Sequence, residues 1–291
     1  MTLTLFLEQL VNGIILGSMY AIMGAGLALI YGTMRILNFA HGEFYMLGGF
    51  FVFFLFAQHH IHPVPAVIIA VAAVALIAAL VQRLTINVLL KREGWAFSTI
   101  AATLGVSIFL QNLALALWGE RFQSVPYFVE GLLQVGEFRL PWQRVLIFGV
   151  AVGVMATMAV VLRWTRFGWA VRATAQDAEA AAVVGVPAAR IHTITFALGA
   201  ALAAVAAALL APVFAVNPWM GLPLIIKAFV VVVLGGLGSF PGAIVGGFLL
   251  GIVEAIGITL TSSEWRDVIA FGMMILFLWV RPWGLFGVKE R

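Results

Sequence analysis

The chain has 291 residues, of which 64% are hydrophobic and only 10% charged, with a mean hydropathy of +1.12. Soluble domains carry about a quarter charged residues, so this composition is that of an integral membrane protein, and membrane topology accounts for a net charge of +4 that would otherwise suggest nucleic acid. The absence of cysteine excludes disulfides, cysteine-ligated zinc and thiol nucleophiles.

A membrane helix needs roughly 20 mostly apolar residues. Charge, proline and glycine divide the chain into nine apolar segments, at 5–31, 38–57, 65–83, 96–118, 143–162, 191–213, 224–235, 242–260 and 267–281. The opening "MTLTLFLEQL" has Glu8 but no basic region, and no small-residue cleavage site follows. The first segment therefore reads as a span and not as a removed leader. Gly13 and Gly17 stand four apart in it, as do Gly242 and Gly246, and Gly247 and Gly251, a spacing that suits close helix contact.

Next comes "RILNFAHGEFYMLGGF", Arg35 to Phe50. Polar residues among apolar ones in a membrane lie near an interface, find a partner, or serve function. The segment order puts Asn38 at the cytoplasmic start of the second span, near water. Asn38 is expected to cap that helix, Glu43 to lie in its first turns where the positive helix end favours a carboxylate, and His41 to share a hydrogen bond. Their place at the inner mouth also makes Asn38, His41 and Glu43 candidates for a cytoplasmic gate. The histidine-rich "QHHIHP", 58–63, lacks carboxylates and helical ligand spacing, so no metal is expected there.

Two loops stand out. "GERFQSVPYFVEGLLQVGEFRLPW", 119–142, is aromatic and mixed in charge and reads as a small external cap. The loop 163–190 is polar and contains "RATAQDAEAAAVVGVPAARI", Arg172 to Ile191. Thr174 can cap a short helix whose third residue is Asp177, Gly185 supplies its left-handed end, and Pro187 prevents continuation. Its alanine face suits a groove on a partner, with Arg172, Asp177, Glu179 and Arg190 around the rim.

The segment 224–235 is too short to span and is followed by "GGLGSFPG", which predicts a broken or re-entrant helix. Irregular backbone at membrane depth survives only inside protein or along a wet path, so Gly235, Gly236 and Gly238 are candidates for lining a path. Lys227 and Glu254 flank the break, either as a buried pair or as path-lining charges for an amino acid's two ends. With the loop 163–190 in the cytoplasm, eleven of the sixteen Lys and Arg, among them Lys91, Arg92, Lys289 and Arg291, fall inside. That supports nine crossings, an external N-terminus and an internal C-terminus. Counting 224–260 as one crossing gives eight.

No G-x-x-x-x-G-K-[ST] loop is present, so nucleotide phosphates are not held by this chain. Neither G-x-S-x-G nor H-E-x-x-H occurs, and Asp177 and Asp267 are assigned to opposite sides of the membrane, so no enzyme is expected. The fold class is an all-α polytopic bundle forming a single transmembrane domain, 1–291.

"EAAAVVG", Glu179 to Gly185, resembles the Glu-Ala-Ala-x-x-x-Gly motif by which importer permeases of the ATP-binding-cassette class seat on their ATPase subunits. "NGIILGSMYAIMGAGLALIYGTMRILNFAHGEFYMLGGF", "VVVVLGGLGSFPGAIVGG" and "RPWGLFG" resemble segments of branched-chain amino-acid permeases of the LivH type, over about residues 9 to 287. The resemblance assigns ATPase coupling to Glu179, Ala180, Ala181 and Gly185. It implies a bacterial plasma-membrane permease for branched-chain or other hydrophobic amino acids that binds no cofactor itself. Its partners would be a second related permease, two cytoplasmic ATPases carrying ATP and Mg, and an external solute-binding protein. Urea, short amides and small organic acids remain alternatives, because related permeases serve them. An ion-coupled secondary transporter and a membrane scaffold are rivals of other classes, separated by whether an ATPase copurifies.

Overall fold

Leu3–Met34 (α1) is one helix of 32 residues, unbroken because proline is absent from it. At 1.5 Å per residue it is roughly 48 Å long, and it runs through the middle of a computed structural model describing residues 3–90, 94–135 and 138–287. After it come α2 (His41–Val52), which continues as a π-helical turn over Phe53–Gln58, and α3 (Pro63–Val81), which continues through a second such turn, Gln82–Ile86, into α4 (Asn87–Leu89). The helices α5 (Trp95–Trp118) and α6 (Trp142–Trp164) flank a hairpin of β1 (Leu132–Val135) and β2 (Phe138–Pro141). These antiparallel strands give the cap at 119–142 its structure and add a little β to a helical fold. The chain then forms α7 (Arg166–Gln176), α8 (Ala178–Val183), α9 (Ala188–Leu210), α10 (Gly221–Gly235), α11 (Phe240–Leu260) and α12 (Arg266–Val280).

Six helices among the described residues are long and apolar enough to cross a membrane: Phe6–Met34, Pro63–Leu89, Trp95–Trp118, Trp142–Trp164, Ala188–Leu210 and Phe240–Leu260. The other three expected segments are the shorter α2, α10 and α12, of 12, 15 and 15 residues. The broken helix is present as α10 and α11, joined by Gly236–Ser239. Lys91, Arg92, Lys289 and Arg291, on which the orientation partly rests, lie outside the described residues.

The most extensive helix contact is α1 on α11, and α9 packs across both α1 and α2. Small residues permit this closeness. A methyl group added at Gly48 would lie 2.7 Å from the Cα of Ala204. The outer helices turn Leu76, Ile108 and Phe109 outward, each more than 60% exposed. Large apolar side chains turned outward, with helices brought together through small residues, is an arrangement that suits a hydrocarbon solvent.

Candidate functional site

The first polar group begins where α1 ends. Arg35 adopts a positive φ of 56°, and the chain turns back into the bundle. His41 Nε2 then meets the carbonyl of Met23 at 3.2 Å. The carbonyl can only accept, so Nε2 carries the proton. Met23 lies eleven residues before the end of α1, so α2 starts alongside α1 at a level roughly 16 Å back from that end. Asn38, His41 and Glu43 are all fully buried or nearly so. This corrects the expectation that they lie near water.

The expected cap is also different. Ala40 holds the N-cap position of α2 without a side-chain bond, while Asn38 Oδ1 accepts from the Ala40 amide at 3.1 Å. Asn38 thus closes the turn before the helix and does not cap its first amides. Glu43 and His41 share no hydrogen bond. Glu43 Oε1 accepts instead from the Ser107 hydroxyl of α5 at 3.0 Å. Chain order shows that polar residues open α2; it does not show that glycines draw that opening inward. A methyl group on Gly42 would sit 2.8 Å from the carbonyl carbon of Gly221, so α2 and α10 cross backbone to backbone. The rings of Phe39 and Phe229 meet beside that crossing at 5.1 Å.

Eight buried side-chain N and O atoms among the described residues have no hydrogen-bond partner, and three belong to this stretch: Asn38 Nδ2, His41 Nδ1 and Glu43 Oε2. Such atoms normally cost about 1–3 kcal/mol each. Their concentration at one interior helix start marks a place where a polar ligand would be stabilising.

The second group is an ion-pair network. Lys227 of α10 pairs with Glu254 of α11, and also with Asp267 at the start of α12 at 2.9 Å. Tyr20 of α1 donates to the other Glu254 oxygen at 2.8 Å. Lys227 and Glu254 are buried, whereas the Asp267 side chain is 73% exposed. The anticipated pair is therefore formed. Its links to Tyr20 and Asp267, like the bond from Ser107 to Glu43, escape sequence reasoning. Their only signal is polarity within "GSMYAIM" and "TLGVSIFLQN" and at the head of the last segment.

The helix break is closed by the tail. Gly236 and Gly238 take φ values of 100° and 82°, and the Ser239 hydroxyl caps α11 by accepting from the Gly242 amide at 3.1 Å. The carbonyls of Leu234 and Gly235, left open where α10 stops, accept from the amides of Leu285 and Phe286 at 2.9 and 3.0 Å. Gly235 and Gly236 are buried and Gly238 is half-buried. Gly238 lies against Gly32, near the end of α1.

In the loop 163–190, Thr165 caps α7 by accepting from the Gly168 amide at 3.2 Å. That helix extends to Gln176 and absorbs Thr174, whose buried hydroxyl has no partner. The cap of the next helix is Asp177, not Thr174: Asp177 Oδ1 accepts from the Glu179 and Ala180 amides, both at 2.9 Å. Aspartate outranks threonine at this position, and Thr174 faces inward on a helix that has not yet ended. Gly185 does take the left-handed end, with φ 87°. Ala181 is buried while Ala180 and Glu179 are exposed, and Arg172 donates to the Leu162 carbonyl at the α6–α7 corner. Val183 and Val184 are 88% and 77% exposed, an apolar pair on a polar loop that the alanine-based reading passes over. No group of His and acidic residues suited to a metal occurs among the described residues.

The sequence model of the branched-chain amino acid transport system permease component matches residues 9–278. The high-affinity branched-chain amino acid transport system permease protein BraD of Pseudomonas aeruginosa is 37% identical, over 98% of this chain and 97% of its own. LivH of Escherichia coli K12, a permease protein of the same description, is 35% identical over 98% and 96%. A probable LivH of Methanocaldococcus jannaschii is 26% identical over 96% and 92%. Among solved structures, PsaBC from Streptococcus pneumoniae in complex with Fab shares the fold, with a TM-score of 0.52 at 10% identity over 93% of this chain and 91% of the other.

Proposed function

The chain belongs to the family of branched-chain amino-acid transport permeases, and from that premise we propose that it lines the path of an ATP-driven importer for branched-chain or other hydrophobic amino acids. As a member it is a permease subunit and not an enzyme. A second, related permease completes the path, two cytoplasmic ATPases bind ATP and Mg, and an external solute-binding protein delivers substrate over the hairpin of the 119–142 loop. The orientation has the N-terminus outside and the C-terminus in the cytoplasm of a bacterial plasma membrane, with α2, α10 and α12 completing nine crossings. In support, the end of α1, the helix break and the α6–α7 corner lie together at one end of the bundle.

The observation that carries the coupling role is α8. A six-residue helix capped by Asp177 and closed at Gly185 holds Val183 and Val184 out from the bundle, as a part seated in another protein's groove must be held. Arg172, Asp177, Glu179, Ala180, Ala181 and Gly185 form this surface, with Thr174 beneath it. A side chain at Gly185 meets open space, yet its φ of 87° is hostile to a β-branched residue. Gly185→Val therefore distorts the loop by about 1–2 kcal/mol without touching the core. ATP-driven uptake is expected to fall about tenfold at normal expression; uptake at the wild-type rate removes the coupling role.

Asn38, His41 and Glu43 form the gate of this reading, where substrate meets unpartnered polar atoms. Lys227 and Glu254 line the path beyond it, together with Gly235, Gly236 and Gly238. Glu43→Gln preserves shape and an acceptor for Ser107 while removing the charge. Assembly should survive and uptake should drop by at least roughly tenfold, the effect of about 1.4 kcal/mol. If assembly and the ratio of ATP used to solute moved are both unaltered, the stretch is structural and the gate lies elsewhere.

A further inference from the structure

At the end of the bundle where α1 and α6 stop, these two helices, α7 and the start of α11 enclose a cleft of about 700 Å³. Its wall is apolar, built from Leu29, Leu162, Val171 and Phe240, and Arg163 and Arg172 stand on its lining as well. Both arginines are exposed. Among the described residues the only salt bridges are those of Lys227, so neither arginine is neutralised by a carboxylate. Arg172 spends one N–H on the Leu162 carbonyl. The Arg163 guanidinium lies 5.3 Å from the centre of the Trp164 ring, a contact that holds it without cancelling its charge.

Trp164 and Trp169, each next in the chain to a residue of the lining, Arg163 and Gly168, are 64% and 60% exposed. Exposed tryptophans beside arginines at the ends of apolar helices belong at the level of lipid headgroups. A basic mouth over an apolar wall, at headgroup level, matches a ligand with an anionic head and a hydrocarbon tail. A soluble anion would leave the wall wet, and a zwitterionic headgroup would bring an ammonium to two unneutralised arginines.

We propose that this cleft seats an anionic phospholipid from the leaflet at this end of the bundle, its phosphate at Arg163 and Arg172 and an acyl chain along the Leu29, Leu162, Val171 and Phe240 wall. Gly238 and Ser239 of the helix break stand on the same lining, and a lipid seated there is indifferent to which amino acid is carried.

The test uses the purified transporter, with the subunits that copurify, in nanodiscs of phosphatidylcholine containing a minor share of phosphatidylglycerol. Lipids retained after detergent extraction are counted by native mass spectrometry. Wild-type protein should retain phosphatidylglycerol in clear preference to phosphatidylcholine. Arg163→Gln should lower that retention roughly fivefold, the share of one basic residue at a membrane surface. Ala159→Trp, which fills the wall from an exposed lining position, should lower retention of the lipid while leaving both arginines in place. Equal retention of the two lipids by wild-type protein overturns the proposal, and so does unchanged retention in both variants. Stabilisation of lipid-depleted protein by inorganic phosphate alone would replace the lipid by a soluble anion and overturn it too.

Discussion

Lys227→Met should lower the melting temperature of the purified chain by about 10 °C, and adding Glu254→Met should restore most of the loss. The expectation rests on where the carboxylate is left. Glu254 is fully buried, and without Lys227 the hydrogen-bond partner left to it among the described residues is the Tyr20 hydroxyl. Breaking a buried pair from one side costs about 3–5 kcal/mol, because the other charge is then buried alone. For a chain of this size each kcal/mol corresponds to a few degrees. Replacing both members by apolar residues of similar volume is often neutral or better, so the double variant separates fold from transport. A stable double variant that cannot transport assigns the pair to the path; one that transports makes it structural. A single Lys227→Met protein as stable as wild type would sink the argument, since it would mean that Glu254 does not depend on its cation.

The pair was legible in the sequence for a simple physical reason. An ionisable residue within an apolar segment needs a counter-charge, and Lys227 and Glu254 sit on the two sides of one helix break. The break itself was legible from its glycines and proline. The family resemblance read from "NFAHGE" and "EAAAVVG" is met by relatives at 37% and 35% identity.

What was not legible was depth and partnership. Polar residues at 38–43 announce that something must satisfy them, but nothing nearby names the Met23 carbonyl or the Ser107 hydroxyl, 18 and 64 residues away from their partners. Thr174 and Asp177 are both good caps, and the choice between them was made by how far the preceding helix α7 runs. Apolar windows also count residues without testing helix continuity. Nine segments were therefore expected, and among the described residues six long helices and the shorter α2, α10 and α12 stand at them.

Glycine spacing gives the sharpest division between the legible and the hidden, and the second large effect follows from it. Four-residue spacing identified contact faces but not their partners. Gly13 and Gly17 of α1 face Gly247, Gly251 and Ala255 of α11, whereas Gly242 and Gly246 face Gly235 and Val231 of α10. In the first seam a methyl group at Gly13 would come within 2.9 Å of the Ala255 Cβ, and one at Gly17 within 2.9 Å of the Phe248 Cα. A side chain at Gly251 would run into the Gly17 backbone.

Backbone cannot rotate away as a side chain can, so Gly251→Leu must part α1 from α11 along the most extensive contact in the molecule. Overpacking in a closely fitted core typically costs about 1–3 kcal/mol, and separating this seam should reach or exceed the upper end. The expected result is loss of folded, monodisperse protein on detergent extraction. Gly149→Leu is the matched control: it adds the same bulk to α6, where a new Cβ meets nothing within 4 Å, and it should leave extraction and melting unchanged. If Gly251→Leu extracts and melts like the Gly149→Leu control, α1 and α11 do not depend on backbone-to-backbone contact for their packing.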